Sequence, residues 1–330
     1  MLGFRGVDAP ASSTIAADLR DRSIGAVVLF DYDVPSARQG RNITSPAQLH
    51  DLCAQLRDAA GERRLLIAVD QEGGRVARLG SKNGYPATPA AADVTTAEQA
   101  RQTGADIGAM LAAAGIDLDL APVVDLNVNA SNPIIGALGR SYSADPDAVA
   151  TMAVALLDGL RTQGVHGVLK HFPGHGSSTG DTHEGVVDVT DTWTRNELRP
   201  YELLAATDLV GAVMVAHVFN RVLDPVHPAS LSKATIDGLL RGQLGFTGAV
   251  ISDDLQMGAI TSQYGFSDTI RLALQAGNDL LCLSNNVTYD PELGARAHGI
   301  VLDLVASGAV PADRVLEANA RVQVLKSLLG

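Results

Sequence analysis

The sequence predicts an α/β fold, a single (β/α)8 TIM barrel that spans residues 1–330 as one domain, with its functional site at the carboxyl ends of the strands. Short apolar runs alternate with longer amphipathic stretches along the whole chain, which is the pattern of parallel strands joined by helices. Aromatic residues make up only 4% of the chain and the apolar residues are mostly Ala, Val, Leu and Ile, a mix that suits strands buried on both faces. A doubly wound open sheet is the alternative, but no Gly-x-Gly-x-x-Gly sequence opens the first helix.

Eight short apolar runs are the candidate strands, and in chain order they cover residues 2–4, 24–30, 64–69, 116–120, 167–169, 211–215, 249–251 and 279–283. Helical patterns lie between most of these runs, at 46–60, 96–114, 146–163, 196–207, 232–241, 266–277 and 290–307, and a last helix is predicted at about 311–329. The chain shows no low-complexity linker and no shift in composition, so one domain is the simpler prediction.

The chain carries a formal net charge of −12, which makes nucleic acid and acidic membrane surfaces poor partners. No run of apolar residues is long enough to predict a membrane-spanning helix. The N-terminus lacks the basic-then-apolar pattern of a signal peptide, which favours a cytoplasmic location, although a leader or lipid anchor removed before the first strand leaves secretion open. Cys53 and Cys282 are predicted to be buried thiols, since no Cys-x-x-Cys pair is present.

Polar residues collect where five of the predicted strands end. In a barrel these carboxyl ends share one face, where active sites are built. Chance could place polar residues at one or two strand ends, but not His and Asp residues at so many of five ends. We therefore expect a functional site at this face, the mouth of the barrel. The residues at these ends are Asp70 and Gln71, Lys170 and His171, His217, Ser252 to Asp254, and Ser284 to Asn286.

The densest group of reactive residues follows the fifth run. The segment reads Lys-His-Phe-Pro-Gly-His-Gly at 170–176 and Asp-Thr-His at 181–183, and its Pro and Gly residues indicate a shaped loop. An irregular loop of about 25 residues is usually functional. Asp181 stands two residues from His183, so its carboxylate can reach the imidazole, fix the tautomer and form a dyad suited to proton donation and recovery. A structural His on a surface loop is the alternative.

Asp253 follows the seventh run and is expected to project into the mouth as a nucleophile, a general base or a metal ligand. Asp254 is adjacent and is predicted to point away, as a cap or salt-bridge partner. Asp70 is expected to accept hydrogen bonds from neutral hydroxyl groups, whereas Glu72 is expected mainly to hold its loop together. Arg140 is predicted either to bind substrate or to brace a loop.

A hydrolytic zinc site is the alternative use of the same side chains. The available ligands are His171, His175, His183, His217 and Asp253. However, the first run lacks the His-x-His pair typical of barrel metallohydrolases, and no His-Glu-x-x-His sequence is present. We therefore expect neither a catalytic metal nor another cofactor.

The segment 170–183 resembles the signature of glycoside hydrolase family 3, and most closely that of the single-domain, NagZ-type β-N-acetylglucosaminidases (β-N-acetylhexosaminidases). Further matches occur in the family's order, and together they cover most of the chain from about 24 to 285. They are Val-Asp-Gln-Glu-Gly-Gly-Arg-Val at 69–76, Asp-Leu-Ala-Pro-Val-Val-Asp at 119–125, Gly-Arg-Ser-Tyr-Ser at 139–143, Met-Val-Ala-His at 214–217 and Ile-Ser-Asp-Asp-Leu-Gln-Met at 251–257.

The resemblance implies a retaining exo-hydrolase of terminal β-linked N-acetylglucosamine, acting on peptidoglycan fragments or chitooligosaccharides through a covalent glycosyl-enzyme. It implies Asp253 as nucleophile and His183 as general acid/base, with Asp181 as the partner of His183. It also implies a substrate-binding set at the terminal sugar, to which His217 is added from its strand end. This set comprises Asp70, Arg140, Lys170, His171 and His217.

Three other functions remain open at this point. A family 3 β-glucosidase is the nearest enzyme alternative, although the Asp-Thr-His loop argues against it. An N-acetylglucosaminide phosphorylase is a second, because an imidazole acid/base does not repel an incoming phosphate as a carboxylate does. An inactive sugar-binding barrel is the non-enzyme alternative. The stretches 31–41 and 132–139 are longer than in compact members of the family, which leaves the leaving-group preference open.

Overall fold

The computed structural model describes residues 1–205 and 207–328 of the 330-residue chain. Within these ranges seven parallel strands form one curled sheet, in which each strand pairs with its neighbours in chain order. The strands are β1 (Leu2–Gly3), β2 (Ala26–Leu29), β3 (Leu66–Val69), β4 (Leu118–Asp119), β5 (His166–Phe172), β6 (Ala212–Val215) and β7 (Ala249–Ser252). All seven lie at predicted runs, so the α/β class and the parallel order are confirmed.

The eighth predicted strand, at 279–283, is not a regular strand. It contacts both edges of the sheet through isolated bridges, Ile251 to Leu280 and Leu2 to Leu283. A regular strand would pair backbone N–H groups with backbone carbonyls, but here the backbone N–H of Cys282 donates to the side-chain Oγ of Ser252, at 3.0 Å. The segment therefore lies between the first and last strands without extending the sheet.

The helices within the described residues follow most of the predicted stretches. They are α1 (Thr14–Asp21), α2 (Pro46–Ala60), α3 (Ala97–Ala114), α4 (Pro146–Arg161), α5 (Arg199–Leu204), a π-helix (Ala234–Gln243), α6 (Gly258–Thr261), α7 (Phe266–Ala276), α8 (Leu293–Ala306) and α9 (Ala312–Leu328). The helix predicted at 196–207 is shorter, because a 3₁₀ turn (Arg195–Leu198) precedes α5. Its position 206, and position 329 of the last predicted helix, lie outside the described residues.

The helix starts follow from local capping. Ser45 and Thr96 each accept a hydrogen bond from a backbone N–H three residues later, which satisfies a donor that the first turn leaves free. Helix α1 was missing from the prediction, and the Oγ of Ser13 caps it in the same way. Short 3₁₀ turns occur at Ser81–Asn83, Ala91–Asp93, Gly136–Leu138 and Ala229–Leu231.

Alternate residues of the strands are buried on opposite faces of the sheet. Val28, Ala68 and Met214 belong to the apolar cluster inside the curl, whereas Val27 and Ile67 pack outward against the helices. This burial explains why the strands read as continuous apolar runs. Both cysteines are free and buried, as predicted. Within the described ranges, no helix combines the length and hydropathy needed to cross a membrane.

Helices α3 and α4 touch backbone to backbone. A Cβ atom placed on Gly104 would lie 2.2 Å from the carbonyl oxygen of Leu156, and one on Gly159 would lie 2.1 Å from that of Arg101. Two glycines thus allow neighbouring helices to approach more closely than any side chain would permit.

Candidate active site

A cavity of about 440 Å³ opens at the carboxyl ends of the strands. Seven of the eight predicted site residues line it, contributed by β5 itself and by the segments that follow β3, β4, β5 and β7. They are Asp70, Arg140, Lys170, His171, Asp181, His183 and Asp253. The structure thus brings these side chains together from positions up to 183 residues apart in the sequence (70 to 253).

Paired charges form the floor of this cavity. The ammonium group of Lys170 lies 2.8 Å from Asp70 Oδ1 and 2.7 Å from Glu72 Oε1. Arg140 donates to both carboxylate oxygens of Glu72 at 2.7 Å, and Arg78 contacts Asp70 at 3.4 Å. These five side chains, all of them buried or half-buried, thus hold one another in fixed orientations.

The protonation states of this floor follow from the pairing. Burial would raise the pKa of Glu72, but Arg140 and Lys170 outweigh it and hold that pKa below its usual range. Burial would lower the pKa of Lys170, yet Asp70 and Glu72 raise it. Burial would also raise the pKa of Asp70, but the Lys170 ammonium lowers it. Glu72, Lys170 and Asp70 therefore carry their charges at neutral pH, and they offer strong hydrogen bonds to neutral hydroxyl groups.

His171 is oriented by Asp125, whose side chain is completely buried. The Nδ1 atom of His171 lies 2.6 Å from Asp125 Oδ2, and its Nε2 faces the guanidinium of Arg140 at 3.4 Å. Burial opposes ionisation of Asp125, but the His171 imidazole lowers its pKa below the usual range. The bonds Lys170–His171 and Phe172–Pro173 are both cis.

Asp125 and Glu72 orient site residues, although neither was predicted to be one. Asp125 closes the matched motif at 119–125, and Glu72 follows the predicted residue Asp70 by two positions. Their partners are 46 and 68 positions away, and no spacing rule indicates such pairs.

The Asp181–His183 dyad forms as predicted. Asp181 Oδ1 accepts hydrogen bonds from the backbone N–H of His183 at 2.8 Å and from its ring Nδ1 at 2.7 Å. The ring is 59% exposed, so its Nε2 is the atom available to exchange a proton with a bound molecule.

Asp253 lies across the same cavity, directly after β7. Its backbone N–H donates to the Val215 carbonyl at 3.0 Å, and its Oδ1 accepts the N–H of Asp254 at 2.8 Å. Burial would raise the pKa of Asp253, but the imidazoles of His217, His171 and His183 lower it, so the carboxylate is ionised. Asp254 accepts hydrogen bonds from the backbone N–H groups of Gln256 and Ser284.

His217 occupies a different position from the other predicted residues. It lies outside this cavity and is 1% exposed. Its Nδ1 contacts Ser230 Oγ at 2.6 Å, and its Nε2 contacts the Asp254 carbonyl at 2.9 Å. Both ring nitrogens therefore have protein partners, and substrate contact by His217 stays a prediction.

As for metals, the described residues contain no group of three or more His, Cys, Asp or Glu side chains arranged to hold an ion.

Comparisons with known proteins agree with this geometry. Residues 4–325 match the Glycosyl hydrolase family 3 N terminal domain. A β-hexosaminidase of Xylella fastidiosa (strain M12) is 36% identical over 347 aligned positions, which cover 97% of this chain and 96% of that protein.

Two solved structures have the same fold. A glycoside hydrolase family 3 β-N-acetylglucosaminidase from Paenibacillus sp. str. FPU-7 superposes with a TM-score of 0.89 at 35% identity, covering 99% of this chain and 60% of that one. The β-N-acetylhexosaminidase of Beutenbergia cavernae DSM 12333 gives 0.85 at 30% identity, covering 99% and 96%.

Proposed function

The chain belongs to glycosyl hydrolase family 3, and we propose that it is a retaining β-N-acetylhexosaminidase that removes terminal β-linked N-acetylglucosamine. The observation that carries this proposal is one cavity lined both by the ionised carboxylate of Asp253 and by the Asp181–His183 dyad. The identity of the sugar is inferred from the relatives, a β-hexosaminidase from Xylella, a β-N-acetylglucosaminidase from Paenibacillus and a β-N-acetylhexosaminidase from Beutenbergia. A retaining glycosidase needs a nucleophile and an acid/base about 5 Å apart, on either side of the scissile bond.

In the first step, a carboxylate oxygen of Asp253 attacks the anomeric carbon and the bond to the leaving group breaks. His183 Nε2 gives its proton to the departing oxygen, so the leaving group departs as a neutral alcohol. In the second step, a water molecule loses a proton to His183 and attacks the same carbon, which releases the sugar and frees Asp253. Asp181 stabilises the imidazolium in both steps, because its carboxylate contacts Nδ1.

The charged floor holds the sugar that is transferred. Asp70 and Glu72 accept hydrogen bonds from hydroxyl groups, whereas Lys170 and Arg140 donate to them. Because these four groups already pair with one another, a sugar finds them oriented before it binds.

Tyr32, Val34 and Val287 line the cavity and form an apolar surface, called the ledge below. The leaving group contacts this ledge. These side chains are 36%, 55% and 43% exposed. Asn286 joins the two parts of the ledge, because its amide donates to the Tyr32 carbonyl at 3.0 Å and accepts from the Val34 N–H at 3.1 Å. A rigid apolar surface suits the face of a second pyranose ring, as in peptidoglycan fragments and chitooligosaccharides.

Two finer points belong to the same proposal. We propose that the segment 280–283 closes the curled sheet into a (β/α)8 barrel, and that residues 1–330 form one domain. The bridges from Leu280 and Leu283 to the two sheet edges support closure.

A phosphorylase is a second candidate, because the group that we propose as acid/base, paired with Asp181, is an imidazole and not a carboxylate. Release of N-acetylglucosamine 1-phosphate in phosphate buffer would support it, and turnover independent of phosphate would exclude it.

Turnover of p-nitrophenyl N-acetyl-β-glucosaminide beside the corresponding glucoside tests the main proposal. We expect the wild type to prefer the N-acetylglucosaminide, and Asp253→Ala to lower turnover by at least about a thousandfold while its circular dichroism stays unchanged. Near-wild-type activity in that variant would exclude Asp253 as the nucleophile. Equal turnover of the two substrates by the wild type would favour a β-glucosidase.

A further inference from the structure

Thr182 lies between the two members of the dyad and is buried, unlike either of them. The residue is 1% exposed, whereas the side chains of its neighbours Asp181 and His183 are 25% and 59% exposed. All three residues line the cavity, but only the central one is buried. A residue buried in this way fixes the position of both neighbours.

His175 contacts Thr182 from the β5 side of the loop. Its Nε2 lies 3.3 Å from Thr182 Oγ1, and its Nδ1 lies 2.7 Å from Ser178 Oγ. The backbone N–H of His175 donates to Asp125 Oδ1 at 2.7 Å, and Asp125 also orients His171. A continuous chain of contacts therefore runs from the floor of the cavity to the dyad.

The segment that follows the nucleophile holds the same loop from the other side. The carbonyl of Thr182 accepts the N–H of Ala259 at 3.0 Å, and the carbonyl of His183 accepts the N–H of Gly258 at 3.0 Å. A Cβ atom on Gly258 would lie 2.7 Å from the His183 oxygen and 2.8 Å from the Glu184 oxygen. Only glycine permits this contact, which lies five residues after Asp253.

We infer that Thr182, His175 and Gly258 are positioning residues that hold the imidazole of His183 at its working distance from Asp253. This inference rests on the proposed function and deepens it. Proton donation requires the ring nitrogen to lie within hydrogen-bond reach of the leaving-group oxygen. A displacement of about 1 Å costs on the order of a hundredfold in rate. In the first step, the effect falls on substrates whose leaving group needs a proton.

The test compares Thr182→Val with Thr182→Ser. Valine keeps the shape of threonine and removes the hydroxyl, whereas serine keeps the hydroxyl. Each variant is assayed with chitobiose, which has a poor leaving group, and with a 2,4-dinitrophenyl N-acetyl-β-glucosaminide, which needs little protonation. We expect Thr182→Val to lower kcat/KM for chitobiose by about tenfold to a hundredfold, and to leave kcat/KM for the aryl glycoside within about twofold, because kcat/KM reports the step in which the leaving group departs. Thr182→Ser should retain most of the wild-type rate on both.

Equal losses on the two substrates, or no loss on either, would overturn the role of Thr182. Failure of the proposed function gives a different result, because the wild type itself would then not turn over either substrate. A double-mutant cycle with His175→Gln tests the other side of the contact: we expect the double variant to be little slower than the slower single variant. Fully additive losses would show that His175 does not act through Thr182.

Gly258→Ala provides a variant that leaves the buried hydroxyl in place. We expect the same selective loss on chitobiose. The matched control is Gly185→Ala, since Gly185 belongs to the same loop and a Cβ atom there meets nothing within 4 Å. Wild-type behaviour of both glycine variants would overturn the role assigned to Gly258.

Discussion

Replacement of Glu72 by Gln tests whether the paired charges organise the site. Glu72 receives three contacts of 2.7 Å, two from Arg140 and one from Lys170. Gln keeps one acceptor oxygen, so about two charge-assisted hydrogen bonds are lost, each contributing about 1.5–3 kcal/mol. Lys170 retains Asp70 as a partner at 2.8 Å, which limits the damage. We therefore expect the free energy of unfolding to fall by about 3–4 kcal/mol.

The assay is urea unfolding of the wild type and of Glu72→Gln at pH 7, analysed with a common slope. The control is Asp158→Asn, which removes a pair with Arg101 of similar length (2.7 Å) in which both side chains are about half exposed. An exposed pair contributes about 0–1 kcal/mol. If Glu72→Gln costs no more than Asp158→Asn, the reasoning is refuted.

The difference in free energy of unfolding between the wild type and Glu72→Gln depends on pH, and its sign follows from the lowered pKa of Glu72. The pKa of Glu72 in the folded protein lies below its value in the unfolded chain, so its contribution is fully present above about pH 4.3. The contribution is lost as the pH falls towards the folded-state pKa. The stability gap between wild type and variant should therefore narrow below about pH 4.

Three further predictions address the loop and the ledge. His183→Ala should lower kcat/KM for chitobiose by roughly 10²–10⁴-fold and for aryl glycosides by less, and equal losses on both substrates would argue against the acid role. The control is Glu184→Ala, at an exposed neighbour, which should keep the wild-type kcat/KM. Burial lowers the pKa of His175 to about 4 in the folded protein, so the free energy of unfolding of the wild type should fall by about 3 kcal/mol as the pH drops from about 6.5 to 4. His175→Gln should lack this contribution to the pH dependence of the free energy of unfolding, and the same pH dependence in wild type and variant would contradict the prediction. Val34→Asp should raise KM for chitobiose several-fold, whereas Val222→Asp, at a 76% exposed valine outside the cavity, should not, and equal effects would remove the ledge from substrate binding.

The sequence predicted the sheet well because its strands are buried on both faces. Such strands read as uninterrupted apolar runs, and seven of the eight runs are strands. The run at 279–283 was apolar for the same reason, but its hydrogen bonds depend on the side chain of Ser252, which no local pattern reveals. Helix α1 was missed because it has only eight residues. A helix of two turns gives too short a periodic signal.

The site was predictable to the extent that position along a strand determines it. Asp70, Lys170, His171 and Asp253 lie at strand ends, and the structure places them in one cavity. Position does not determine where a side chain turns. His217 also lies at a strand end, yet its ring contacts Ser230 and the Asp254 carbonyl.

The contact of Gly104 with Leu156 and of Gly159 with Arg101 has a consequence for any survey of related sequences. Neither glycine is near the reacting groups, yet helix α4 leads directly into β5, which carries Lys170 and His171. A larger residue at either position would force the two helices apart and tilt the strand that supports the cavity floor. We expect both positions to remain glycine across homologues as strictly as catalytic positions do. Conservation of glycine at these two positions would reflect the close approach of two helix backbones and not a role in catalysis.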